Sequence, residues 1–169
     1  METQTAARIL GPTEGKSGVL AAIGVRFMID GDDAESRFSL VEHPMPPRAL
    51  AAPLHRHSRE DEYSFVLEGK MGALLGDELV YAKAGDLVFK PRRQWHTFWN
   101  AGDEQCRILE IISPAGFERY FEELVDMTGP RTPVTIGPLA ARYGVEMKFE
   151  SIPELVAQHG LAWPGVGSG

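Results

Sequence analysis

The segment His55-Arg56-His57-Ser58-Arg59-Glu60-Asp61-Glu62 decides how the rest of the chain is read. In an extended strand, residues i and i+2 project from the same face, so His55 and His57 present both imidazoles to one side. Glu62 follows beyond a polar turn and can return from the next strand onto the same inner face. Further along, Gly85-Asp86-Leu87-Val88-Phe89-Lys90-Pro91 leads to His96 and Asn100, with His96 on a strand of aromatic and polar residues. Three imidazoles and one carboxylate suit a borderline first-row divalent ion: Fe, Mn, Ni, Co, Cu or Zn. On an octahedral ion, four protein ligands leave two positions for water, substrate or O2.

Working outward, Gly18 to Pro114 reads as short strands separated by turns. Val25–Ile29, Arg37–His43, Glu62–Glu68, Met71–Leu75, Glu78–Tyr81, Asp86–Lys90, Trp95–Asn100 and Arg107–Ile112 are rich in the β-branched and aromatic residues that favour strands. Gly69-Lys70, Gly76-Asp77, Ala84-Gly85 and Ala101-Gly102-Asp103 supply the turns. This pattern predicts an all-β antiparallel sandwich or jelly-roll barrel. If Glu62 points inward, Ser64 and Val66 follow it, and Tyr63, Phe65 and Leu67 form an opposite face too apolar to be left in water. By the same alternation Phe98 and Asn100 share the face of His96. Phe98 is then either core or a substrate contact, and Arg92 and Arg93 either line the mouth or are solvated. His43 and His159 fall outside the set.

The last third changes character. Ser113-Pro114 reads as a helix start, followed by Phe117, Tyr120, Phe121, Leu124 and Val125 in one apolar stripe that Gly129-Pro130 ends. A helical turn is expected around Pro138–Tyr143. Ser151-Ile152-Pro153-Glu154 reads as a capping box opening a helix that Gly160 stops. The expected organisation is an N-terminal arm (1–16), a barrel (17–113), a C-terminal helical extension (114–162) and a flexible tail (163–169).

Composition narrows the function. The 169 residues include one cysteine, and the formal net charge is −7. One cysteine excludes an internal disulfide and fits a reducing compartment. The acidic balance argues against nucleic acid as the main partner. The N-terminus lacks the basic and apolar pattern of a signal peptide, and no apolar run approaches the ~20 residues of a membrane span, so a cytoplasmic protein without membrane contact is expected. Cys106 reads as a small, inert strand residue.

With these residues in view, the chain resembles the cupin superfamily, specifically its small single-domain bacterial members and their quercetin-dioxygenase-like group. His55, His57, Glu62 and Gly69 follow the first cupin motif, and Gly85, Pro91, His96 and Asn100 follow the second. Two positions depart from it: Ala49 replaces the opening glycine of the first motif, and Arg93 stands where the second has glycine after Pro91. The turn after Pro91 must therefore hold a non-glycine residue at strained φ or take another shape. The resemblance implies an antiparallel double-stranded β-helix, or jelly-roll barrel, with one divalent metal held by His55, His57, Glu62 and His96. It also implies a wide functional range, of which the first reading is an enzyme, a dioxygenase acting on a small enediol or hydroxyaromatic substrate, with Glu62 ligated or taking the substrate proton. The alternatives are a non-redox isomerase, decarboxylase or lyase, and a non-catalytic module that binds or senses a small ligand. The apolar strand face predicts a homodimer unless the first helix covers it.

Overall fold

The structure is a computed structural model and describes residues 6–164. Of the expected arm and tail, residues 1–5 and 165–169 lie outside the described residues. The protein is a two-sheet antiparallel sandwich. One sheet has six strands: β1 (Ser17–Val19), β2 (Gly24–Ile29), β3 (Ser39–Met45), β5 (Asp61–Glu68), β8 (Leu87–Lys90) and β10 (Cys106–Ser113), in the order β1-β2-β3-β10-β5-β8. The other has five: β4 (Leu54–His57), β6 (Lys70–Leu75), β7 (Glu78–Lys83), β9 (His96–Asn100) and β11 (Val145–Lys148), in the order β11-β4-β9-β6-β7. The two hydrogen-bonded ladders stay separate; the sheets do not close into a single barrel.

Period-two patterning explains the layers. In β10, Cys106, Ile108, Glu110 and Ile112 are buried and alternate with half-buried residues; in β5, Glu62, Ser64 and Val66 point inward. Val41, Met45, Val66 and Ile108 of one sheet meet Met71, Ala73 and Phe98 of the other in the core between the sheets. A smaller cluster, Leu50, Trp99, Ile152, Leu155, Val156 and Leu161, lies on the outer side of the five-stranded sheet under the last helix. Gly69 takes φ +79°, and a Cβ there would sit 2.6 Å from the Gln105 carbonyl oxygen, so this turn needs glycine.

Eleven strands are present among the described residues rather than eight. The three added ones are short: β1 is three residues, β4, the histidine strand, is four, and β11, also four, is hidden in a stretch that reads as helical. β11 pairs with β4, placing Met147 opposite His55 and Val145 opposite His57. The C-terminal segment thus covers the edge of the histidine strand.

The helices are α1 (Glu118–Asp126), α2 (Pro133–Arg142) and α3 (Ile152–His159). Ser113 does not start α1. It remains in the β10–β5 ladder opposite Asp61, and its hydroxyl donates to the Arg37 carbonyl, so the helix begins only after Phe117. Ser151 does not form a capping box either; its hydroxyl donates to the Lys148 carbonyl and accepts from the Leu54 amide. Gly160 ends α3 in the left-handed conformation, as expected. The helical turn near Pro138 is part of the longer α2, whose Thr132 amide donates to the Thr135 hydroxyl. No helix among the described residues is long and apolar enough to cross a membrane.

Candidate metal centre and its cavity

His55, His57, Glu62 and His96 come together as one buried group, with one potential ligand atom from each lying within 4.8 Å of the others. Both layers of the sandwich contribute. β4 carries His55 and His57 on its inner face, with Leu54 and Arg56 turned outward, and β9 places His96 directly opposite His55. Glu62 reaches in from β5 of the facing sheet. Its Oε1 lies 3.5 Å from His57 Nε2, and its Oε2 lies 3.2 Å from His96 Nε2.

Hydrogen bonds set which imidazole nitrogens face inward. His55 Nδ1 lies 2.8 Å from the Pro53 carbonyl and His96 Nδ1 lies 3.1 Å from the Gln94 carbonyl. A carbonyl only accepts, so Nδ1 carries the proton in both and Nε2 keeps its lone pair, the arrangement by which outer-sphere carbonyls orient metal-ligating histidines. Both ring nitrogens of His57 are buried without a hydrogen-bond partner among the described residues, although Nδ1 is 3.5 Å from the buried Glu60 carboxylate. Buried polar atoms ordinarily have partners. An ion on the Nε2 side would give that nitrogen a partner, and the donor set fits a divalent first-row metal.

Charge supports the same reading. Burial, with the neighbouring His96 and His57, holds His55 well below its ordinary range, and burial also lowers His96 against the opposing pull of Glu62. Both imidazoles are thus neutral, as ligands must be. Burial, the largest single influence, works against ionisation of Glu62, but the Lys90 ammonium, 3.1 Å from Oε2, together with the adjoining His57 and His96, keeps the carboxyl well below its usual value.

Lys90 also lies 3.0 Å from Glu110, whose other oxygen accepts from the Ser64 hydroxyl at 2.7 Å. Burial raises Glu110 to about 7 despite Lys90. Sequence reasoning missed Lys90, Glu110 and Glu60. The signal for Glu110 was present: alternation along Ile108-Leu109-Glu110-Ile111-Ile112 places a carboxylate among inward-facing isoleucines.

A cavity of about 340 Å³ opens from the cluster, reached by His55 and Glu62 and lined by His43, Phe98, Phe117, Tyr120 and Phe121. The α1 stripe therefore packs over this cavity and leaves the outer strand face bare. Phe65 is 37 % exposed, Leu87 56 % and Phe89 47 %. Phe98 lines the cavity, whereas Arg92 is bound to Asp61 by its amide and guanidinium. Arg93 holds φ +68°, the strained option for the turn, and its amide donates to the His57 carbonyl. Asn100 fixes a loop by donating to the Met45, Pro46 and Glu104 carbonyls. His159 stacks on Trp99. Cys106 is fully buried, and burial pushes its thiol up to about 11.

Residues 42–112 match the family described as "Cupin domain". Among solved structures, the polyketide cyclase RemF from Streptomyces resistomycificus is 30 % identical, with 64 % of this chain and 80 % of that chain covered at a TM-score of 0.56. KdgF from Halomonas sp. is 16 % identical over 68 % of this chain and 99 % of that chain, at a TM-score of 0.59. A Streptomyces PAC13 variant with uridine is 16 % identical over 68 % and 87 %, at 0.54. The last two likenesses speak to the fold alone. Among curated proteins, none matches the chain.

Proposed function

Because the chain belongs to the cupin superfamily, we propose that it is a metal-dependent enzyme, of the quercetin-dioxygenase-like kind, that oxidises a small enediol or hydroxyaromatic substrate with O2. The observation that carries the reading is the convergence of His55, His57, Glu62 and His96 beside a largely apolar cavity. A bound Fe, Mn, Co, Ni or Cu ion would supply O2 activation at exchangeable positions, whereas Zn would supply Lewis acidity alone. His55 and His96, their Nδ1 atoms bound to carbonyls, would offer their Nε2 lone pairs to such an ion. Glu62, kept ionised by Lys90 with His57 and His96, would balance the charge of a bound ion and is the residue nearest to take the substrate proton. Phe98, Phe117 and Phe121 exclude water.

A second, non-redox reading as isomerase, decarboxylase or lyase has its own support, because the 30 % identical structure is named a cyclase. The test is turnover on an enediol and hydroxyaromatic panel after reconstitution with single metals. O2 consumption with a redox-capable ion supports the dioxygenase. An equal anaerobic rate, or full activity with zinc alone, moves the reaction to the non-redox class. Saturable binding without turnover leaves a binding or sensing module.

The same reading takes the two sheets as a jelly roll with one ion at its mouth and the chain as cytoplasmic, consistent with its single buried thiol. It also takes the protein as a homodimer joined through the exposed Phe65, Leu67, Leu87 and Phe89 face, because β8 is a sheet edge as well as an apolar patch.

A further inference from the structure

His43 is 2 % exposed, borders the cavity and belongs to neither the metal cluster nor its supporting hydrogen bonds. It projects from β3 between Phe98 and Phe121, with its ring edge-on to Phe121 at 5.3 Å. Its Nδ1 lies 2.9 Å from the Gly24 carbonyl, so the proton resides there. Nε2 is left as an acceptor to which no group among the described residues donates. This nitrogen is not sealed in the protein interior; it borders the cavity, where a ligand hydroxyl or N–H can donate to it.

The other polar groups around the cavity limit what that ligand can be. The Arg131 guanidinium is occupied by the Val19, Leu20 and Leu124 carbonyls. Lys90 is held between Glu62 and Glu110. Neither cation is free to bind a phosphate. The Tyr120 hydroxyl has only the Met147 sulfur, 3.9 Å away, as partner. The rings of Phe98, Phe117, Tyr120 and Phe121 flank His43 and the metal cluster, and aliphatic side chains complete the wall.

We infer that the cavity takes a planar, unphosphorylated aromatic or conjugated molecule, and that His43 Nε2 accepts a hydrogen bond from its hydroxyl or N–H, selecting and orienting it. This rests on the reading of the cavity as the substrate site, and it makes His43 a positioning residue.

The experiment measures binding of 2-naphthol and 2-methoxynaphthalene, which differ in the hydrogen-bond donor, to metal-free and metal-loaded protein, with glucose 6-phosphate as the polar control. Wild type is expected to bind 2-naphthol at least about tenfold more tightly than the ether and not to bind the phosphate. His43→Phe, checked for folding by circular dichroism, should bind both naphthalenes within about threefold of each other, and His43→Gln should restore part of the preference. Equal affinities in wild type, or a preference that persists in His43→Phe, would overturn the inference. These readouts require no turnover. A His43-dependent preference without metal uptake or activity supports the inference while sinking the enzymatic proposal, and metal uptake without the preference does the reverse.

Discussion

His55 and His96 are direct cross-strand partners on β4 and β9, and their rings stand 4.4 Å apart. This pairing joins a histidine of the first motif to the histidine of the second through main-chain register. Their separation is therefore set by the sheet, before any ion is considered.

Removing two ligands should abolish metal uptake without unfolding the sandwich. His57→Ala/His96→Ala leaves the intersheet core of Val41, Met45, Val66, Met71 and Ile108 intact. Elemental analysis is expected to show metal loss with unchanged far-ultraviolet circular dichroism. Full stoichiometry in the double variant would remove the site assignment.

Lys90→Met should destabilise the metal-free protein by about 3 kcal/mol, because it leaves buried carboxylates without their cation. A divalent ion would restore positive charge beside Glu62, so the variant should gain more stability from metal than wild type does. Urea unfolding with and without Ni(II) measures both terms, and equal metal-induced gains would refute the coupling.

Burial lowers His43 from 6.5 to about 4, with the Gly24 carbonyl pulling the other way and Lys90, Glu62 and Glu42 the nearby charged groups. Above pH 6.5 both folded and unfolded states leave it neutral, and it contributes no pH dependence. Between 6.5 and 4 the unfolded chain takes up a proton that the folded one does not, so stability falls as pH falls. The loss reaches about 3 kcal/mol below pH 4. His43→Phe should flatten the wild-type stability profile by that amount in this window, and parallel profiles would contradict it.

Light scattering should give twice the 18.6 kDa chain mass at micromolar concentration. Phe65→Glu/Phe89→Glu, on the exposed strand face, should give the monomer mass with the metal site retained. A wild-type monomer across the concentration range would exclude the dimer.

The sequence made most of this legible, for reasons that also explain what it concealed. Strand periodicity placed β2, β3 and β5 to β10 within a residue or two at most ends, and the motif spacing named all four converging side chains. β11 is four residues long, and its role depends on pairing with β4, a long-range contact that local pattern does not encode. Ser113 and Ser151 are good helix starters by local chemistry, but strand pairing at one and a turn contact at the other claim them. Lys90 reads as a surface charge until the register sets it opposite Glu62.

Because the four side chains are split between two facing layers, the order of assembly matters. His55, His57 and Glu62 lie close in sequence, but Glu62 belongs to the six-stranded sheet and the histidines to the five-stranded one. A partly folded chain with only one layer formed cannot present the full set. Choice among competing cellular ions therefore falls to the finished architecture, and chelation would loosen the grip of one layer on the other more than it would unravel either.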